Sequence, residues 1–195
     1  MGLRGDILDY LACRDDEAAR DRLDGLVARY ELEPELRDDD ADTAGSDASR
    51  DPASGADDPP LGDADRRRID RVRALDAAPV GVTLCGPAYR DTPILYANRT
   101  FRALTGYPLE TLRGENPRLL QGPRTEPESV AALREAVSIW EPVTVEVWNH
   151  RRDGTPFLNR VSLRPLPGAD GTITHWAAVQ EAVAEPTDRD PRDER

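Results

Sequence analysis

Lysine is absent from this chain of 195 residues, so that all 26 of its basic residues are arginine. Cysteine is scarce: Cys13 and Cys85 lie in different segments, which argues against a disulfide framework or a cysteine-rich metal site. No apolar run reaches the roughly eighteen residues that a membrane-spanning helix needs. The N-terminus also lacks the basic and apolar regions of a signal peptide. We therefore expect a cytoplasmic protein with no membrane partner and no bound metal.

The missing lysines accompany an acidic excess, with a formal net charge of −12 at pH 7. The excess is concentrated in residues 38–65, which hold ten acidic residues and one arginine, whereas residues 66–184 are slightly basic. Acidic proteins without lysine are typical of halophilic microbes such as haloarchaea, because carboxylates keep a surface hydrated at high salt. A GC-rich genome that favours arginine codons, combined with one acidic linker, is the alternative explanation.

Two short helices are predicted within residues 5–32, because apolar residues recur there at helical spacing. Residues 14–17 are expected to join them, and Pro34 to end the second. Two helices of this length are too small to bury a core, so we expect them to dock on another part of the molecule or on a partner. The predicted segments are an N-terminal helical segment (1–37), a disordered acidic linker (38–65), a helix (66–77), an α+β domain (78–184) and a disordered tail (185–195).

The predicted α+β domain has two strands, then several short helices, then three strands. Asn98 is expected to cap a helix that ends at Gly106, and Thr125 to begin a capping box that opens a longer helix. Asp153 and Gly154 mark the turn between two of the later strands. The predicted strands are 80–85, 93–97, 143–150, 157–166 and 172–183, and a helical turn is predicted at 108–113.

Residues 114–122 read Gly-Glu-Asn-Pro-Arg-Leu-Leu-Gln-Gly. This segment resembles the flavin-binding signature of LOV domains, the blue-light subgroup of the PAS fold. The order of elements over residues 78–184 is similar to the PAS order. The resemblance implies an α+β PAS/LOV fold, in which a five-stranded antiparallel sheet carries short helices on one face, here preceded by a small N-terminal helical segment. It also implies that the cofactor is FMN.

The resemblance further implies which residues hold FMN. Arg118 and Arg134 match the two arginines that bind the phosphate, since planar guanidinium groups form paired, charge-assisted bonds to phosphate. Asn149 and Asn159 match the amides at the pyrimidine edge, and Gln180 matches the glutamine beside the reactive ring nitrogen. The other matched positions are Asn116 and Gln121 on the ribityl and phosphate side, Leu120, Val130, Val137, Val161 and Trp176 (usually phenylalanine) as apolar walls, and Thr83 and Cys85 on the first strand, although an ordinary small buried strand residue is the favoured interpretation of Cys85.

Hairpin geometry gives independent support for one part of this site. With a loop at residues 153–155, Asn149 would lie directly opposite Asn159, on a face that is otherwise apolar. Two buried amides need hydrogen-bond partners. A heterocycle would supply them, but the amides would also be satisfied by each other or by buried water. His150 and His175 have no ligand-like neighbours in the sequence, and we expect them on the sheet surface.

Pro117 occupies the position at which the LOV signature normally has a cysteine that bonds to the excited flavin. Proline offers no such group, so a cysteinyl adduct is not expected. An excited flavin can instead take an electron from a tryptophan, a tyrosine or an external reductant and form the semiquinone. Trp140 and Trp148 are candidate donors, although tryptophans are more often packing residues. A new proton on the ring nitrogen would place a donor where an acceptor had been, and we expect the Gln180 amide to reorient in response. The expected function is therefore sensing of blue light or redox state in signal transduction by flavin (photo)reduction.

Three other functions are alternatives to this one. A light-insensitive PAS module for protein interaction or dimerisation is the main alternative. An enzyme is not expected, because no acid, base or second-substrate motif accompanies the signature. Nucleic-acid binding by the N-terminal helices is opposed by the acidic residues in and after them. We expect those helices to contact a second copy of the chain, a partner signalling protein or the sheet, and any signal to leave through them and through the helix before residue 77.

Overall fold

The computed structural model describes residues 2–32, 61–168 and 170–185. Three helices come first, followed by the mixed part of the chain. Helices α1 and α2 belong to the N-terminal segment, and α3 leads into the first strand. The helices are α1 (Leu3–Leu11), α2 (Asp16–Tyr30), α3 (Asp63–Arg73), α4 (Arg99–Thr105), α5 (Leu109–Leu112) and α6 (Pro127–Ile139), with 3-10 turns at Ala88–Arg90 and Pro117–Leu120; the strands are β1 (Gly81–Cys85), β2 (Ile94–Ala97), β3 (Val143–His150), β4 (Pro156–Pro167) and β5 (Ile173–Ala184).

The two predicted N-terminal helices are present, with different boundaries. The Asp15 side chain caps α2 by accepting a hydrogen bond from the Ala18 amide at 2.8 Å. The helix ends at Tyr30, where Glu31 adopts a left-handed conformation (φ 52°), so Pro34 is not what ends it. The prediction for Pro34 was wrong because a left-handed C-cap terminates the helix several residues earlier.

Helix α3 begins at Asp63, three residues before the predicted start at residue 66. The Gly62 amide donates a hydrogen bond to the Asp65 carboxylate at 3.1 Å, which satisfies one of the free donors at the helix start. Carboxylates in the first turn also interact favourably with the helix dipole. Acidic residues that had been assigned to the linker therefore form the start of the helix. The rest of the predicted linker, residues 38–60, lies outside the described residues.

A single antiparallel sheet carries the strands in the order β2-β1-β5-β4-β3. Strand β3 has the predicted bounds, and the other four differ from the predictions by one residue at one or both ends. Together with the short helices, this five-stranded sheet confirms the predicted PAS/LOV fold.

The β3–β4 hairpin differs from the prediction in its register. Val147 lies opposite Asn159, and Asn149 lies opposite Phe157. The predicted pairing of Asn149 with Asn159 was wrong by two residues, because the loop comprises residues 152–154. The amide of Gly154 donates to the Arg151 carbonyl at 2.9 Å, and its φ of 87° suits glycine at the last position of a three-residue hairpin loop.

Helix α4 confirms the predicted cap and end. The Asn98 side chain accepts from the Phe101 and Val82 amides and donates to two carbonyls, so one buried amide joins α4, β1 and the chain after α3. The predicted capping box at Thr125 was wrong. Its hydroxyl instead donates to the Trp148 carbonyl at 2.6 Å and ties the segment before α6 to β3.

The two faces of the sheet have different covers. Helices α4, α5 and α6 and the turn at Pro117–Leu120 lie over the face that carries Trp176 and Gln180, which we call the inner face. Helices α1 and α3 contact the outer face, and α2 packs on α1. Apolar residues of the outer face and of all three helices form one core, which includes Ile7, Leu11, Leu26, Val72, Val82, Leu84 and Val179.

Helix α1 is fixed to the outer face by polar contacts as well as by apolar burial. The Arg4 guanidinium donates to the Glu181 carboxylate at 2.6 Å and to the Ser162 hydroxyl at 2.9 Å. Asp9 accepts from Arg164 of β4. The expectation that the N-terminal helices dock is therefore confirmed, and the surface is the sheet of the same chain. Among the described residues, no helix is long and apolar enough to cross a membrane.

Candidate functional site

A row of hydrogen-bonded side chains crosses four strands on the inner face. Asn159 of β4 donates to Asn149 Oδ1 of β3 at 2.8 Å and to Gln180 Oε1 of β5 at 2.8 Å. Gln180 in turn donates to the Thr83 hydroxyl of β1 at 3.2 Å. All four side chains are buried. The strands thus bring together, in one polar row, four residues that are far apart in the sequence.

The row is not saturated by its own members. Asn159 is fully buried, yet its Oδ1 has no hydrogen-bond partner. A buried acceptor without a donor costs about 1–3 kcal/mol. The amides therefore pair with each other, which was one of the alternatives predicted from the sequence. They still leave one acceptor, which a ring N–H of a bound heterocycle would satisfy.

Apolar side chains lie beside this row. Trp176 shares a cluster with Cys85, Leu120 and the partly buried Val137. Val161 lies in a neighbouring cluster with Val147 and Ala178 of the same face. Since Trp176 and Gln180 are four residues apart on one strand, about 13 Å separates their positions. Such a face, apolar at one end and polar at the other, suits a flat ring system with the same division.

Burial raises the pKa of the Cys85 thiol to about 12, although a hydrogen bond from Thr83 opposes the shift. The thiol is therefore protonated at neutral pH. Because the thiolate is the reactive form of cysteine, Cys85 is a packing residue of the site.

The Trp176 ring stacks on Trp140, with centroids 5.7 Å apart and planes 13° from parallel. Trp140 follows α6 and is partly exposed, whereas Trp176 is fully buried. Sequence reasoning placed Trp176 in the site but missed its contact with Trp140. No local signal links the two positions, since 36 residues separate them and only the fold brings them together.

Asp91, which was not predicted as a site residue, contacts the predicted phosphate-binding side of the site. Arg118 grips the carboxylate of Asp91 through two hydrogen bonds of 2.5 Å each. The Asn116 side-chain amide donates to the Asp91 carbonyl. Contact with the guanidinium lowers the pKa of the Asp91 carboxyl, mainly through the hydrogen bonds. Arg118 is exposed, so a phosphate group has access to it but must compete with Asp91.

Asp91 and the next residue, Thr92, both adopt left-handed backbone conformations, with φ of 65° and 51°. Each such residue costs on the order of 1–3 kcal/mol, and surrounding contacts must hold it in place. The bonds from Asn116 and Arg118 are such contacts. The signature segment therefore fixes a strained corner ahead of β2.

Three of the predicted site residues lie at the periphery. Arg134 and Gln121 are exposed, and the side chain of neither makes a hydrogen bond or ion pair with the described part of the chain. Val130 is partly buried on the first turns of α6. Arg134 is therefore a free cation, available to an anionic ligand.

Pro117 begins the 3-10 turn, and Asn116 before it is extended (φ −78°, ψ 141°), as expected for a residue that precedes proline. At the end of the signature, a Cβ added to Gly122 would meet the His150 ring at 2.4 Å. Only glycine permits this close approach. The signature segment therefore lies against β3 at Gly122 and is bonded to Asp91 near its other end.

The predicted position of His175 on the sheet surface was wrong. It does not lie on an open sheet surface but is buried beneath α3, where Nε2 is 2.8 Å from the Asp65 carboxylate. Nδ1 accepts from the Thr174 hydroxyl at 2.8 Å in this tautomer. Burial, followed by the charge of Arg68, lowers the pKa of His175. The residue belongs to the contact between α3 and the outer face.

Comparison with known proteins gives consistent matches. The family model for the PAS domain matches residues 79–183. A bacterioopsin transcriptional activator of Halobacterium salinarum is 38% identical over 119 residues, which are 61% of this chain and 18% of that protein. Blue-light-activated histidine kinase 1 of Erythrobacter litoralis is 39% identical over 101 residues, 52% of this chain and 28% of that protein.

A solved structure of the LOV domain from the Erythrobacter litoralis EL346 blue-light activated histidine kinase is also similar. It superposes with a TM-score of 0.52 at 32% identity, over 55% of this chain and 98% of that one. The chain thus matches nearly all of an isolated LOV domain but less than a third of the two curated relatives.

Proposed function

The chain belongs to the PAS domain family, and we propose that its PAS domain is a LOV-type sensor that binds FMN and responds to blue light or redox state by reduction of the flavin to the semiquinone, without a cysteinyl adduct. The bound flavin would supply light absorption and one-electron chemistry. The observation that carries the proposal is the buried row of Thr83, Asn149, Asn159 and Gln180, together with the unpaired acceptor of Asn159.

Each part of the site has a role that suits this ligand. The amides of Asn149 and Asn159 would both donate and accept at a polar ring edge. The cluster around Leu120 and Trp176 would pack on the ring faces and exclude water. Arg134, which is free, and Arg118, once released by Asp91, would bind the phosphate.

Reaction without an adduct follows from the thiols present. Pro117 has no nucleophile, and Cys85 is a buried thiol with a raised pKa. Cys13 lies between α1 and α2, where its sulfur accepts a hydrogen bond from Arg22, and it belongs to the cover of the opposite sheet face. The described thiols therefore offer no replacement for the cysteine that Pro117 displaces.

A short covalent path leads from the site to the N-terminal helices. Gln180 faces the inner side of β5, and the next residue, Glu181, faces the outer side and binds Arg4 of α1. Gln180 would lie beside the reactive ring nitrogen, and its amide would reorient if a donor replaced an acceptor there. The resulting shift in β5 would change the Glu181–Arg4 contact, with a coupling of about 1–3 kcal/mol at most.

The remaining features of the function belong to the whole protein. The matched relatives are several times longer than the region they share with this chain. We propose that the domain is not itself an enzyme and acts in the cytoplasm without binding nucleic acid. It would signal through its N-terminal helices to a second copy or to a partner protein.

The chromophore is the first test of this function. Purified protein is denatured, and the released small molecule is identified by mass spectrometry and by its fluorescence. FMN at near-stoichiometric amounts is expected, and the variant Asn159→Leu is expected to retain little. A protein that neither carries nor takes up any flavin would contradict the proposal.

A light-insensitive PAS interaction module is the second candidate, and two observations favour it. The site amides already pair with each other, and Asp91 already neutralises Arg118. The variant Gln180→Leu separates the two candidates. A sensor loses its light-dependent change in oligomeric state or partner binding, whereas an interaction module shows the same behaviour in light and dark with either residue.

A further inference from the structure

The contact between Trp140 and Trp176 links the protein surface to the interior of the site. Trp176 is fully buried among Cys85, Leu120 and Val137. Trp140 is 37% exposed, and the two rings are nearly parallel at a centroid distance of 5.7 Å. This distance lies within the range of interacting aromatic pairs. The pair therefore forms a continuous aromatic path from solvent to the inner face.

Two features show that the pair is maintained at a cost. Trp140 is the C-cap of α6 in a left-handed conformation (φ 59°), a position that glycine usually occupies. The Trp176 indole nitrogen, Nε1, is buried without a hydrogen-bond partner, although a buried indole N–H usually has one. Packing alone would be satisfied by a smaller ring at position 176 and by glycine at position 140.

Trp148, the third tryptophan, does not belong to this stacked pair. It lies on β3 with an arginine, Arg124, over its ring at 5.5 Å, and its position alternates with those of Val147 and Asn149, which face inward. Its ring therefore faces away from the inner side of the sheet. Of the three tryptophans in the chain, two are stacked in line with the site and one points away from it.

We propose that Trp140 and Trp176 form an electron relay that carries electrons from a soluble thiol at the surface to a flavin bound against Trp176; this inference rests on the function proposed above. Trp176 would give one electron to the excited flavin, and Trp140 would return one electron to Trp176. The oxidised Trp140 releases its indole proton to water, which balances the proton that the flavin takes up. A thiol then gives a hydrogen atom to the Trp140 radical, and two thiyl radicals combine to a disulfide.

The relay is tested with the full chain loaded with FMN, in the wild type and in Trp140→Phe, Trp176→Phe and the control Trp148→Phe. Flavin binding in the dark is measured first. Photoreduction under steady blue light with dithiothreitol and the tryptophan-radical absorption after a blue flash are then recorded. Near-ultraviolet circular dichroism of the flavin-free proteins reports the stacked indoles independently of any photochemistry.

In Trp140→Phe, we expect unchanged flavin binding, several-fold slower photoreduction and loss of the long-lived tryptophan radical. Trp176→Phe is expected to lose the radical altogether, and Trp148→Phe to behave as wild type. The exciton signal of the flavin-free protein should disappear in the first two variants only. Wild-type photoreduction in Trp140→Phe would overturn the relay while leaving the proposed function intact. A wild-type protein that binds flavin but is not photoreduced would overturn both.

Discussion

At the scale of single residues, Asp91 decides how strongly the site attracts a phosphate. Its carboxylate occupies both arms of the Arg118 guanidinium, on a corner whose backbone is strained. A phosphate must displace this carboxylate and also tolerate its negative charge. If FMN binds as proposed, Asp91 would compete with its phosphate for Arg118 but would not compete with riboflavin, which lacks a phosphate.

The variant Asp91→Asn is predicted to bind FMN more tightly than wild type, because it frees Arg118 and removes a like charge. The pair is exposed, so the gain is limited by solvent screening to roughly fivefold in affinity. Fluorescence titration with FMN measures it, and titration with riboflavin is the matched control, for which no gain is expected. Equal gains for the two ligands would show that Asp91 does not act on the phosphate.

Asn159 is predicted to be the most sensitive residue of the polar row. It donates to two neighbours, and its Oδ1 is the unpaired acceptor. Replacement by leucine removes bonds to the ring edge and leaves Asn149 and Gln180 without their donor, which costs about 1–3 kcal/mol in binding, or roughly 5- to 150-fold. Thr144→Val is a control, because Thr144 bonds to Ser162 on the outer face. Unchanged flavin affinity in Asn159→Leu would place the ligand elsewhere.

The residue scale also shows what one sequence can and cannot reveal about the site. The residues of the polar row and the apolar wall were predicted from the resemblance to the LOV signature, and hairpin geometry gave separate support only for Asn149 and Asn159. Asp91 and the stacking of Trp140 on Trp176 were missed because these contacts join residues that are 27 and 36 positions apart. Neither position carries a local pattern that differs from an ordinary loop acid or an ordinary tryptophan.

At the scale of elements, α1 is predicted to depend on Arg4. This side chain bonds to two side chains and two carbonyls of β4 and β5 and is largely buried. Arg4→Ala should lower the free energy of unfolding by about 1–3 kcal/mol, as measured by urea denaturation. Arg66→Ala, at an exposed position that pairs only within α3, should change it by about 0.5 kcal/mol or less. Equal effects would mean that the Arg4 contacts do not stabilise the docked helix.

The contact of α3 with the sheet is predicted to weaken in acid. His175 has a folded-state pKa below its ordinary value of 6.5, so the unfolded chain binds the proton more readily. Stability from this group is complete above pH 6.5 and is lost as the pH falls below it toward the folded-state pKa. His175→Gln, which cannot titrate, should show a shallower fall in unfolding free energy over that interval. An unchanged slope in the variant would assign the acid sensitivity to other groups.

Element boundaries followed the sequence where local rules decide them. Alternating residues gave the exact bounds of β3, and Asn98 and Gly106 delimit α4 as predicted. The hairpin register and the start of α3 were wrong because each depends on a bond between neighbouring groups, namely the Gly154 turn and the Gly62–Asp65 cap. Two three-residue loops, 153–155 and 152–154, fit the same sequence, and they differ in register by two residues.

At the scale of the whole molecule, the N-terminal segment acts as a cover for one face of the sheet. Ile7, Leu8 and Leu11 of α1 pack in one core with Val179 and other residues of the outer face. Uncovering this face would expose a contiguous apolar patch, and patches of this kind mark interaction surfaces. The cover and the sensor site therefore lie on opposite sides of one sheet, joined through β5.

A variant that lacks residues 1–60 is predicted to self-associate through the uncovered face. Light scattering coupled to size-exclusion chromatography should give a larger number of subunits than for the full chain. Adding Val179→Glu to the truncated chain should reduce the association. A truncated protein with the same subunit number as the full chain would contradict the assigned role of the cover.

We propose that this LOV-type domain reduces its flavin in light and forms no bond to it. The most direct measurement is the light-minus-dark absorbance spectrum of the flavin-loaded full chain under blue light, with a soluble thiol and without oxygen. We expect loss of the oxidised-flavin bands and growth of the broad long-wavelength band of a neutral semiquinone, reversed by air. Bleaching that leaves the single near-ultraviolet band of a thiol adduct, or no spectral change at all, would contradict it.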